Sequence, residues 1–308
     1  VARQSFCCIL EVELQFIDID KNTHSYWFSQ NWNHLVSKEL FSESRKLFAA
    51  RKKLTHELLI HPTPLEFNPE DLKSRIPPSG HFIISEEMIT GRIRGGEVNH
   101  WFFAEYIKRL NLCYPDAHFM VLIRNQQEII QSLYALYVQK GGTYSLEKFL
   151  LSENQLQSDY LFSSKFLNFH INLEYLIKTI GKERLHVFLF EDFRENPEEF
   201  IQKLGKKFQL VFNNQSIDYS KVNTGITTKQ IFGRKLINRF TRYGIPFKHY
   251  YFHVPGFYKA TFPSASKMKQ NKLKLDLSDS MIDEFQSSNK QLKKQFPELD
   301  LEKYGYLL

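Results

Sequence analysis

An α/β fold with a central parallel sheet flanked by helices is what this sequence predicts, on three observations. Apolar runs at His81–Ser85, Phe119–Ile123 and Leu185–Phe190 are short and lack polar alternation, as strands buried on both faces do. Helical periodicity follows or separates them, over Glu97–Leu112 and again from Gln126. Strand, helix, strand, helix in that order is the grammar of parallel strands joined by right-handed crossovers.

Taken in order, the first residues are the hardest to read. Cys7–Ile19 is a candidate strand, Asn31–Leu59 reads as a helix with a charged face, and His61–Gly80 is a proline-rich loop. The His81–Ser85 strand and the Glu97–Leu112 helix follow, and a turn at Tyr114–His118 leads into the second strand. The Gln126–Gln139 helix, with Ile129, Ile130, Leu133 and Leu136 on its apolar side, stops at Gly141–Gly142. Ser145 starts a short helix, and a longer one covers Phe162–Ile180. After the third strand, Asn196-Pro197-Glu198-Glu199 is a strong helix start: a capping residue, a proline, then acids at the positive helix end. A last helix spans Ser278–Phe296. With no repeat or low-complexity tract, residues 1–308 read as a single domain, whose first 60 residues are atypical or incomplete.

Composition narrows the function classes. Three cysteines, two of them adjacent, make no disulfide framework, and no Cys/His spacing suggests a metal site. A reducing, cytoplasmic location is the expectation. No run of about 18 apolar residues is present, so no membrane span is expected. The 28 Phe and 15 Tyr predict an aromatic-rich core. The net charge of +7 is unevenly spread: Tyr219–Leu275 holds twelve Lys/Arg and no Asp or Glu. That block, rich in aromatics, can face a nucleotide, an anionic glycan, nucleic acid or an acidic membrane surface, or be a solvated basic face.

The strongest chemical signal is HFMVLIRNQQEIIQS (His118–Ser132). Arg124 falls at the carboxyl end of a core strand, where open α/β sheets place ligand sites. Ser132 lies about two turns into the next helix. A guanidinium fork plus a hydroxyl there suits a phosphate. The structural alternative is an arginine capping the sheet edge beside an ordinary helix serine.

Four stretches together resemble the sulfotransferases that use 3′-phosphoadenosine-5′-phosphosulfate as donor, particularly bacterial, carbohydrate-modifying ones. They are Ile84–Gly91, His118–Thr143, Leu185–Phe208 and Ser287–Leu307, in the family's order. The resemblance, over residues 80–308, implies a P-loop-NTPase-like three-layer fold. It implies that Arg124 and Ser132 bind the donor's 3′-phosphate, and that Glu87, with Glu86 as the alternative, is the general base. It places Asn223 and Lys229 in a loop over the nucleotide, and Arg234, Lys235 and Arg239 near the anionic cofactor or an acidic acceptor. Glu191 and Asp192 fall to structure, and His100 and His118 are lesser candidates. The partners implied are the nucleotide donor and a hydroxyl-bearing acceptor, a glycan or glycolipid being the attractive class. Metal and nucleic acid have no part in this reading.

One departure stands out. The family's first strand leads into a loop with Lys and Thr, often preceded by Gly, that grips the 5′-phosphosulfate. No counterpart is found here, and Lys21-Asn22-Thr23 is a poor substitute. Because the chain starts with Val1, the expectation is a truncated or frameshifted start that lacks a central strand. The alternative function is then a catalytically impaired, sulfotransferase-like protein that binds nucleotide or glycan without turnover. A P-loop kinase is disfavoured, since no GxxxxGK[ST] sequence occurs.

Overall fold

A five-stranded parallel sheet organises the molecule. The computed structural model describes residues 5–9, 26–28, 82–85, 97–139, 141–151, 162, 164–208, 228–243, 249–250 and 275–308. Strands β1 (Ser5–Ile9), β2 (Tyr26–Phe28), β3 (Phe82–Ser85), β4 (His118–Ile123) and β5 (Leu185–Leu189) pair in the order β2-β3-β1-β4-β5. Every neighbouring pair is parallel. The central position belongs to β1, where Cys7 is in register with Ile84 on one side and Phe119 on the other. The expected loss of a central strand is thereby corrected: the apolar run before Glu11 is long enough to supply one. The rest of the candidate strand to Ile19, Lys21-Asn22-Thr23, the candidate helix over 31–59 and the proline-rich 61–80 stretch lie outside the described residues.

Helices α1 (Glu97–Cys113), α2 (Gln126–Gln139), α3 (Leu146–Leu150), α4 (Phe169–Ile180), α5 (Phe190–Glu195), α6 (Pro197–Phe208), α7 (Thr228–Thr241) and α8 (Asp279–Gln295) accompany the sheet. A short antiparallel ribbon joins β6 (Arg242–Tyr243) to β7 (His249–Tyr250). Helix α4 packs against both α1 and α8, and α2 packs against α7. From Phe119 to Ile123 every residue of β4 is buried, as a strand covered on both faces requires. The core is aromatic as expected. Phe119, Phe149, Phe162 and Phe285 are among its largest fully buried side chains. Each contributes about 1.5–3 kcal/mol by leaving water.

The buried stripe of α2 differs from the expected one. Ile130 and Leu133 face inward, but Leu136 is exposed, and Tyr134, Tyr137 and Val138 complete the inner face. The tyrosines win because their hydroxyls find partners. Tyr134 donates to the Tyr144 carbonyl (2.9 Å), and the Tyr137 hydroxyl accepts from the Thr143 and Tyr144 amides (3.1 Å each). Both rings lie tilted against Phe149, at 5.5 and 5.1 Å between centroids. Gly142 is required beside them, since a Cβ there would sit 2.2 Å from the Tyr137 ring.

Two further boundaries are corrected by local polar groups. The expected Phe162–Ile180 helix is split into a 3-10 turn (Ser164–Leu167) and α4, because the Asn168 side chain accepts from the Ile171 amide and starts a new helix. The third strand ends at Leu189, and Phe190–Glu195 is helical rather than a turn, with Glu191 and Asp192 at its positive end. Asn196 then caps α6 as expected: its Oδ1 accepts from the Glu199 amide (3.2 Å), while its Nδ2 donates to the Glu199 carboxylate (2.9 Å). Ser278 likewise caps α8.

At the amino ends of β4 and β5 two histidines meet. Nδ1 of His118 lies 2.9 Å from Nε2 of His186, with the rings stacked. Phe208 at the end of α6 presents its edge to His186 at 4.9 Å between centroids. One proton shared between the rings satisfies this geometry; two cannot be accommodated. Burial lowers the pKa of both, and takes His186 down to about 4, with Lys207 and His118 adding to the effect. Arg184 also disfavours the charge on His118, and Glu183 only partly opposes it. The unfolded chain therefore binds more protons than the folded one below the ordinary histidine value of 6.5. Stability contributed by the neutral pair is complete above that pH and is lost as pH falls from 6.5 towards about 4. Urea unfolding across this window should show a falling midpoint, and His186→Phe should flatten that slope; an unchanged slope would remove the pair from the account.

Candidate functional site

The carboxyl ends of β4 and β5 lie side by side, so the Arg124-Asn125 turn faces the start of α5. Buried Glu191 ties the two together. Its Oε1 accepts the Asn125 backbone amide at 2.9 Å, and its Oε2 accepts the Tyr306 hydroxyl at 3.1 Å. Burial raises the carboxyl pKa of Glu191, opposed by these bonds to its charged form, and pushes the Tyr306 phenol well above its ordinary value. Enclosed at 1% exposure, Glu191 serves the turn and cannot meet a substrate.

Asn125 fastens the same turn to the chain's last residues. Its Nδ2 donates to the carbonyls of Tyr304 (3.2 Å) and Gly305 (2.9 Å), while its Oδ1 accepts from the Gln127 amide and caps α2. Gly305 takes a positive φ of 66°, which lets the tail fold back onto the turn. Gln126 and Asn289 exchange amide hydrogen bonds of 2.7 and 3.3 Å, binding α2 to α8. The Tyr304 hydroxyl donates to Asp192 at 2.7 Å and lies 2.6 Å from Glu195, so Asp192 too serves structure.

On this support stands Arg124, partly exposed. Its guanidinium lies 4.9 Å from the Phe190 ring centre, which fixes the plane of the fork. Nε and Nη2 both donate to one oxygen of Glu128, at 3.3 and 3.2 Å. Arg194 donates to that same oxygen at 2.5 Å and also lies by the Phe190 ring. Two guanidiniums thus converge on a single carboxylate oxygen at the end of the sheet. That is the arrangement an anionic oxygen needs, and the long contacts from Arg124 leave its fork weakly committed. Glu128, Arg194 and Phe190 were not singled out from sequence. The Arg124–Glu128 spacing of four residues could have exposed the first of them.

Ser132 is exposed one helical turn beyond Glu128 on the same side of α2, about 6 Å further along the axis. Arg124 and Ser132 therefore lie to either side of Glu128 in the sequence, four residues away in each direction. Lys229 is exposed in the first turn of α7. That helix is held on α2 by buried Asn238, whose Nδ2 donates to the carbonyls of Val138 and Gly142 (2.9 Å each). Lys235 reaches over the Tyr134 ring, and burial, then Arg239, lowers its pKa. Glu86, Glu87 and Asn223 lie outside the described residues.

Residues 24–214, more than half of the chain, match the profile described as the sulfotransferase family. The chain belongs to that family. The match takes in the Arg124 turn, Ser132 and Glu191, and ends before Asn223 and Lys229. Among solved structures, the chain is similar to the crystal structure of a sulfotransferase from Alicyclobacillus acidocaldarius. They share 14% identity over 60% of this chain and 80% of that one, with a TM-score of 0.38. No curated protein matches by sequence.

The anchoring of the site is testable in this sulfotransferase. Tyr306→Phe deletes one buried donor to Glu191 and should lower the unfolding free energy by about 1–3 kcal/mol in urea titration. A variant as stable as the parent would mean the tail does not hold the turn.

Proposed function

We propose that this protein transfers a sulfuryl group from 3′-phosphoadenosine-5′-phosphosulfate to a hydroxyl of an acceptor, with carbohydrate the favoured class. The observation that carries the reading is the Arg124 fork. It stands at the carboxyl end of β4 within the family match, backed by Phe190 and aimed at a carboxylate oxygen that a phosphate oxygen can replace. In this reading the donor supplies an activated sulfuryl group bound to a good leaving phosphate. Arg124 and Ser132 hold its 3′-phosphate, and Asn223 and Lys229 contact the nucleotide. Glu128 must yield part of its hold on Arg124 when the anion enters, and Arg194, bonded to the same oxygen, holds it aside.

Glu87 takes the proton from the acceptor hydroxyl as that oxygen bonds to sulfur, while the bond from sulfur to the phosphate oxygen breaks. Adenosine 3′,5′-bisphosphate and a sulfate ester result. The second reading, nucleotide or glycan binding without turnover, is favoured by the want of a Lys-Thr pair in the amino-terminal segment. Twelve basic residues without an acid over Tyr219–Leu275 suit an anionic nucleotide in either case.

Calorimetric titration with adenosine 3′,5′-bisphosphate should give micromolar binding. Arg124→Ala should weaken it by roughly 10- to 150-fold, the loss of ~1.5–3 kcal/mol from charged hydrogen bonds. A folded sample that binds no bisphosphate would overturn both readings of the Arg124 site. Turnover separates the two: Glu87→Gln should cut sulfuryl transfer to a hydroxyl acceptor by about 10²- to 10⁴-fold while leaving bisphosphate affinity unchanged. Equal rates for parent and variant would exclude Glu87 as the base.

A further inference from the structure

Helix α7 has two contrasting sides. Gln230, Ile231 and Asn238 are buried on the side that meets α2. Away from it, Phe232, Leu236 and Phe240 recur every four residues, which aligns them along one stripe. They are 65%, 59% and 71% exposed. Among the described residues the other large exposed apolar side chains, such as Leu112, Leu151 and Ile171, stand singly on separate elements, as is ordinary. A continuous stripe of three is not ordinary and marks a surface that meets something apolar.

The charges around the stripe narrow its occupant. The Lys235 ammonium lies 5.9 Å from the Phe232 ring centre, and exposed Arg239 precedes Phe240. Arg242 follows at once, and the whole block Tyr219–Leu275 is free of acids. A second copy of the chain would bring two sets of these α7 cations together, which repel. Nucleic acid matches the charge but offers no apolar phase to Phe232, Leu236 and Phe240. An anionic lipid surface supplies both, taking the apolar stripe into the headgroup boundary while lysine and arginine reach lipid phosphates.

We propose that α7, with Lys235 and Arg239 beside its apolar stripe, is a membrane-docking face for bilayers containing anionic lipid. It binds in the plane of the surface rather than across it; among the described residues no helix is long and apolar enough to cross a membrane. The inference is independent of the chemistry assigned to the Arg124 turn.

Co-sedimentation of the full chain with vesicles tests it. Vesicles of phosphatidylcholine with admixed phosphatidylglycerol should retain the protein, those of phosphatidylcholine alone should not, and added salt should release it. Leu236→Glu combined with Phe240→Glu should lower partitioning by about tenfold or more, with helix content by circular dichroism unchanged. Phe232→Ser, a milder change, should weaken binding in the same direction and serves if the double variant misfolds. Equal retention by both vesicle types, retention by neither, or stripe variants that bind like the parent would overturn the proposal. So would stripe-dependent self-association in sedimentation velocity without vesicle binding, which would assign the face to a second copy.

Discussion

The Glu191 carboxylate is the constraint on which the rest of the site depends. Held at 1% exposure, it accepts the Asn125 amide from the end of β4 and the Tyr306 hydroxyl from the tail. Placing a carboxylate there is costly unless its lone pairs are used, and both oxygens are. The same interaction fixes three segments far apart in sequence: the β4–α2 turn, the start of α5 and the last residues of the chain. Arg124 is the next residue out from that fixed point. Its orientation is set by backbone anchoring at Asn125 and by the Phe190 ring, not by its own flexible stem.

From this anchoring follows the electrostatic character of the site. Arg124 and Arg194 share one oxygen of Glu128, so the two cations face a single, mostly covered acid and the trio keeps an excess of positive charge. In the proposed reading an incoming dianion competes with that carboxylate oxygen for Arg124, whose guanidinium already lies over Phe190, while Arg194 stays with Glu128. Preorganisation of this kind lowers the ordering cost that flexible arginines carry. It also means that removing Glu128 does two opposing things, freeing the fork and loosening its aim.

Much of this architecture was legible in the sequence because the signals were local. Continuous apolar runs gave β3, β4 and β5, and Ser145, Asn196 and Ser278 marked helix starts through side-chain caps seen in the structure. Arg124 was legible for the same reason, standing at an abrupt change from apolar run to helix. What could not be read depends on contacts distant in sequence. The inner face of α2 is set by hydroxyl partners at 143 and 144, which periodicity does not report, so Leu136 was placed wrongly. The Arg194–Glu128 pair and the Tyr306–Glu191 bond join residues 66 and 115 positions apart. The central strand β1 was caught only in part, since the candidate strand Cys7–Ile19 overlaps it at Cys7–Ile9; a run of five residues before an acid gives too little periodicity to fix its bounds or its central place.

Helix α7 poses a physical question that the sheet and the Arg124 turn leave open. Its inner side is fully accounted for by Ile231 and by Asn238 bridging the end of α2. Nothing in that packing requires Phe232, Leu236 and Phe240 on the other side, where polar residues would serve the helix as well. Leaving them in water forgoes about 1.5–3 kcal/mol apiece that burial would return. Among the described residues, these three stand exposed and in register next to Arg239, a pattern that the packing of α7 on α2 does not need. The same helix, through Asn238, grips α2 at the end opposite the Arg124 turn. Any surface that takes up the stripe therefore holds the rigid helix bearing Ser132, and with it the orientation of the candidate phosphate site.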